Sequence, residues 1–111
     1  MKAVYYQKGD ALDYVNKTDK KIENGDVVII GERIGVAGAD IIPGETGALH
    51  VTGVYSLNKA NAEEMTAGAE VFYTETGMAL TVTEDETGCK AGYVVQDSPA
   101  SSKEVYVKIN A

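Results

Sequence analysis

The sequence predicts an all-β domain, a small β-barrel or sandwich with pseudo-symmetric hairpins and at most one short helix. Twelve glycines punctuate short segments rich in Val, Ile, Tyr and Thr, the pattern of many short strands joined by tight turns. Several of those segments alternate apolar and polar residues with a period of two, as half-buried strands do. A segment also recurs: Ile22-Glu23-Asn24-Gly25-Asp26-Val27-Val28-Ile29 matches Met65-Thr66-Ala67-Gly68-Ala69-Glu70-Val71-Phe72 in placing an apolar residue three before a glycine. In each copy the glycine supplies positive φ for a turn, and an acidic side chain stands ready for turn amides before an apolar strand begins.

Taken in chain order, Met1 to Asp10 contains no apolar run of the length a signal peptide needs, and no 18 apolar residues follow one another anywhere. A cytosolic, non-membrane product is expected. Tyr5, Tyr6 and Tyr14 cluster near the start in a chain with seven tyrosines, one phenylalanine and no tryptophan. Tyrosine suits surfaces that are half apolar and half wet, so these three are candidate partner contacts, with ordinary packing of the first strands as the plainer alternative. Val27-Val28-Ile29-Ile30 is apolar on both faces, which predicts a strand covered on both sides or central in a closed barrel, at the heart of the core. The hairpin Gly31 to Val36 follows it, as Thr74 to Leu80 follows the second copy.

Thr46 to Leu57 reads as the clearest strand, with Leu49, Val51, Tyr55 and Leu57 on one face. Asn58 to Met65 holds good helix formers, so a short helix or an ordered loop is expected between Ser56 and Ala67. Val71 to Thr74, Ala91 to Val95 and Val105 to Ile109 complete the strands, and Ser98 to Ser102 is a loop expected to be mobile. The expected core is Val28, Ile30, Val36, Leu49, Val51, Tyr55, Val71, Leu80, Val94 or Val95, and Val107.

At 111 residues and 11.8 kDa the chain makes one domain, large enough to bury a core without disulfides or metal. Ten basic against seventeen acidic residues give a net charge of −7, which argues against nucleic acid and anionic membrane as partners. Cys89 has no second cysteine to bridge to, and zinc-ligand spacing is missing. His50, the one histidine, falls on the polar face of its strand, where a solvated or interface residue is expected rather than a catalytic one. Glu84-Asp85-Glu86 lacks the alternating ligands and central glycine of a calcium loop and reads as a solvated turn. Asn16-Lys17-Thr18 spells a glycosylation acceptor that, without a secretory signal, is chance. No catalytic residue, cofactor site or metal site is expected.

The order of landmarks is informative: Gly9-Asp10, Gly25-Asp26-Val27-Val28, Ile34-Gly35-Val36-Ala37, Pro43-Gly44-Glu45-Thr46-Gly47, Gly53-Val54-Tyr55 with Lys59, Gly68-Ala69-Glu70-Val71-Phe72-Tyr73, Gly92-Tyr93-Val94 and Val105-Tyr106-Val107. In this order and spacing, from Gly9 to about Ile109, the chain resembles the small phage and prophage capsid cement proteins. It departs from their pattern in having Ala69-Glu70 after Gly68, where relatives commonly show Gly-Asp, and Phe72-Tyr73 where many show Tyr-Trp. The resemblance implies a head decoration protein on the outer surface of a virion, binding the major capsid protein as a homotrimer, with no catalytic residues to carry over. A carrier module of the lipoyl or biotinyl type is the rival, suggested by Asp19-Lys20-Lys21 and the repeat. Lys20 lies only five residues before Gly25, too close for a returning strand. A small hydrolase has only scattered acids in its favour, and a β-domain of unstated binding role is the remaining reading.

Overall fold

The computed structural model describes residues 1–74, 79–82 and 89–111. Nine strands are present among them: β1 Ala11–Val15, β2 Val27–Ile30, β3 Arg33–Ala37, β4 Thr46–His50, β5 Val54–Asn58, β6 Glu70–Thr74, β7 Ala79–Thr81, β8 Cys89–Val94 and β9 Glu104–Ile109. They form two antiparallel sheets, β1-β4-β3-β2 and β5-β9-β8-β6-β7, so the architecture is a sandwich rather than a closed barrel.

The short repeat seen in the sequence extends through the whole fold. Gly25 and Gly68 both take positive φ, 91° and 90°, and each donates its N–H to a carbonyl of the returning strand, Ala37 at 2.8 Å and Val94 at 2.7 Å. The residue before each glycine gives its N–H to a carboxylate, Asn24 to Asp40 at 2.9 Å and Ala67 to Asp97 at 2.8 Å. Isolated bridges Ile22–Ile41 and Met65–Ser98 stand at matching places. On this correspondence β1, β4, β3 and β2 match β5, β9, β8 and β6, in the same lateral order. The halves differ where β2 turns into β3 through Gly31 and Glu32 alone, whereas residues 75–88 separate β6 from β8 and include the additional strand β7.

Each half folds around its own apolar set. Ile22, Ala37, Ile41 and Leu49, with Tyr14, Val28 and Ile30 against them, fill the first. The second half centres on Met65, Val71, Tyr73, Leu80, Ala91, Val94, Val105, Val107 and Ile109. Ile34 and Val36, with Val27 and Ile29 beside them, join this second cluster and so bind one sheet to the other. β9 shows the expected alternation, with Val105, Val107 and Ile109 buried and the residues between them exposed.

Asn110 adds a polar clip between the halves. At φ 58° it turns its amide onto the first sheet, donating to the carbonyls of Ile34 at 2.7 Å and Val51 at 2.8 Å and accepting from the Ile34 N–H at 3.2 Å. An asparagine tolerates this left-handed conformation better than most residues.

Several expectations need correction. Thr46 to Leu57 is not one strand: the chain leaves the first sheet after His50 and enters the second at Val54, pivoting at Gly53 with φ 125°. The period of two continues across the pivot, so the sequence pattern hides the change of sheet. Val27 to Ile30 has both faces covered, since Val27 and Ile29 face one cluster and Val28 and Ile30 the other, but β2 is an edge strand and not central. No helix forms between Ser56 and Ala67; β5 occupies the start and an ordered loop the rest, held where the Lys59 ammonium donates to the carbonyls of Glu63, Ser98 and Pro99 at 3.0, 3.3 and 2.8 Å. The Ser98 to Ser102 loop is anchored by the buried Ser98, whose hydroxyl donates to the Glu104 carbonyl at 2.8 Å.

In β8, Val94 is buried and Val95 exposed because a bulge opposite Val71/Phe72 inserts Ala91 and shifts the phase. Val28, Ile30, Val51 and Tyr55 are half-buried, while Val36, Leu49, Val71, Leu80 and Val107 lie in the core as expected. The turn of the Thr74 to Leu80 hairpin and Glu84-Asp85-Glu86 lie outside the described residues.

Candidate interaction surface

Residues 1–9 form an exposed arm leading into β1, with Val4, Tyr5 and Tyr6 at 90%, 82% and 87% exposure. Tyr14 belongs to a different environment. It sits on β1 and packs against the cluster of Ile22, Ala37, Ile41 and Leu49. The structure therefore brings Tyr5 and Tyr6 together on the arm and places Tyr14 at the arm's root, half-buried.

The residues weighed for chemistry do not converge. His50 on β4 lies over Gly38, where a Cβ would stand 2.6 Å from its Nε2. Cys89 begins β8 in the other sheet and packs against the second cluster. Among the described residues no three His, Cys, Asp or Glu side chains group as a metal site. Lys20 lies in the loop between β1 and β2, strands that do not pair with each other, so it has no hairpin tip to stand on.

Asn16 is fully buried, with its amide donating to the carbonyls of Lys20 and Ile41, both at 2.8 Å, and its oxygen accepting from the Thr18 N–H and hydroxyl at 3.0 and 2.6 Å. The Asn16-Lys17-Thr18 triplet is thus a loop clip whose asparagine is enclosed by the fold.

A feature the sequence did not expose is the outer edge of β2. It borders an open groove of about 380 Å³ lined by Ile22, Val27 and Val28 from the first half and Leu57, Tyr73 and Leu80 from the second, with Asp26, Ser56 and Asn58 at its polar margin. The four consecutive apolar residues of β2 were the available signal, but they read equally as a central strand. Exposed β edges usually carry charge or proline to discourage pairing, and β2 carries neither.

An exposed apolar arm and a strand edge without charge or proline are surfaces suited to pairing with another chain. Comparison with known families is more specific: residues 6–109 match the family model of phage cement proteins. The chain belongs to the phage cement protein family, and membership implies association with a phage capsid. No curated protein and no solved structure matches the chain.

Proposed function

We propose that the protein is a capsid decoration protein that binds the outer surface of an assembled phage or prophage head and stabilises it. The observation that carries this reading is the family match, which spans almost the entire chain. The partner is the major capsid protein, met by a homotrimer after synthesis in the host cytoplasm. Closed symmetry repeats one patch around an axis, and modest contacts from each copy then sum through multivalency.

The contact with the shell is made by the arm, through Tyr5 and Tyr6 with Tyr14 at its root. A net charge of −7 supports solubility at high copy number and repels packaged nucleic acid. The protein performs no catalysis and requires no cofactor, so purified material carries no stoichiometric zinc or calcium. Mixing the protein with shells that lack it and measuring co-sedimentation tests the reading. Deleting Met1 to Lys8 weakens that binding and leaves the fold intact; unchanged binding moves the contact elsewhere.

A further inference from the structure

The internal duplication shows what is missing from one of its own halves. In the second half the outer edge of β6 is covered by β7, which runs antiparallel to it with Phe72 opposite Thr81, Tyr73 opposite Leu80 and Thr74 opposite Ala79. Leu80 is fully buried there, and its carbonyl accepts from the Ala60 N–H, closing the space between β6 and β5. The equivalent positions in the first half are Ile29, Ile30 and Gly31, and among the described residues β2 pairs with β3 alone. Beside this bare edge lies the 380 Å³ groove between the halves. One half of the molecule has a covering strand, and among the described residues the other half has none at the equivalent edge.

We propose that the edge of β2 is covered by the N-terminal arm of a second copy of the chain, laid antiparallel to β2 as β7 is to β6. Three observations select that occupant. The arm has a segment of the right composition, Ala3-Val4-Tyr5-Tyr6, and every residue from Met1 to Gly9 is exposed. β-branched and aromatic residues are those that pair best in a sheet. Its charge is complementary: Lys2 and Lys8 are the only charged side chains of residues 1–9, so the remainder of the chain carries a net −9, with Asp26 and Glu32 at either end of β2. Opposite charges favour docking of one copy on the next.

The third observation is reach. Ala11, His50, Val36 and Val27 stand in one row across the sheet. An arm residue beside Val27 would be four interstrand spacings from Ala11, about 19 Å. The five Cα steps from Tyr6 to Ala11 span at most about 18 Å. That falls short of the distance for a Tyr6 laid antiparallel beside Val27 of its own chain, whereas the arm of a neighbouring copy is under no such limit. Strand alternation turns only half of the arm's side chains toward the groove, so the other half and its second edge stay open to a shell.

The proposal deepens the homotrimer of the proposed function, on which it rests, and is tested without shells. Sedimentation equilibrium is run on the full chain and on the chain lacking Met1 to Lys8, with circular dichroism confirming that both are folded. The full chain is expected to be a closed oligomer and the shortened chain a monomer. Equal masses for the two overturn the proposal. An equal mixture of nitrogen-14 and nitrogen-15 protein is then treated with a zero-length carbodiimide, and links from Lys2 to Glu32, at the end of β2 that the antiparallel sense sets beside it, are read by mass spectrometry. Links joining a light peptide to a heavy one, absent from the shortened chain, are expected; links confined to isotopically uniform pairs, or none from Lys2, overturn it. Shell co-sedimentation measured separately then fails or succeeds on its own account.

Discussion

Asn16 and Lys59 occupy equivalent positions in the two halves and perform the same task with different chemistry. Each side chain donates to the backbone carbonyl four residues ahead, Lys20 and Glu63 respectively, and to a carbonyl of the returning loop, Ile41 and Ser98. An amide serves in the buried site and an ammonium in the half-exposed one. Both pin the long loop that leads from the first strand of a half to its glycine turn.

Replacing Asn16 by alanine removes four hydrogen bonds made by a fully buried side chain, although the Ile41 and Lys20 carbonyls keep the Ile22 N–H and the Thr18 hydroxyl as donors; the expected loss is about 3 kcal/mol, at the net ~0.5–1.5 kcal/mol typical of each bond. Lys59→Met removes a more exposed ammonium and is expected to cost about 1 kcal/mol. Urea denaturation of both variants checks the order; a larger loss at Lys59 would contradict it.

Glycine is required in different degrees at Gly92 and Gly68. A Cβ at Gly92 would stand 2.0 Å from the Lys108 carbonyl oxygen at φ 149°, while at Gly68, φ 90°, nothing lies within 4 Å. Gly68→Ala meets only backbone strain of ~1–2 kcal/mol. Gly92→Ala must also push β8 from β9, and it is expected to lower the melting temperature several times as much or to prevent folding. Similar melting temperatures for the two variants would contradict the bulge geometry.

Val107→Asp places a carboxylate at a fully buried site and is expected to give insoluble protein, because an unpaired buried charge costs several kcal/mol, comparable with the stability of a small domain. Val51 is half-buried where the chain passes between sheets, so Val51→Asp is expected to fold with reduced stability. Soluble expression and denaturation midpoints decide both.

Asn110→Gly keeps the left-handed backbone open to the residue but deletes three hydrogen bonds, two to Ile34 of the first sheet and one to Val51 in the link between the sheets. The expected loss is about 2 kcal/mol, at the net ~0.5–1.5 kcal/mol typical of each bond and less than their sum. Thermal unfolding of the variant measures it.

The strands whose two faces differ were legible: Val105, Val107 and Ile109 alternate cleanly, and the glycine turns at Gly25 and Gly68 announced the duplication. Features that depend on long-range pairing were not. The pivot at Gly53 preserves the period of two, so Thr46 to Leu57 looked continuous. The bulge at Ala91 changes phase without changing composition. Ile22, Ile41 and Met65 enter the core through isolated bridges in loops, where no periodicity marks them. Of the interaction surface, the tyrosines of the arm were visible as an unusual residue type. The open edge of β2 was not, because an apolar tetrapeptide looks alike at the centre and at the edge of a sheet.

The central claim, that this member of the phage cement family reinforces a head from outside, is tested most directly with purified shells lacking the protein. Shells are incubated with the protein, sedimented, and heated while capsid integrity is followed by light scattering. The account predicts saturable co-sedimentation and a rise in the temperature at which the shells break, both reduced by deletion of Met1 to Lys8. Failure to bind the shells of its own phage, or binding that leaves their breaking temperature unchanged, would contradict it.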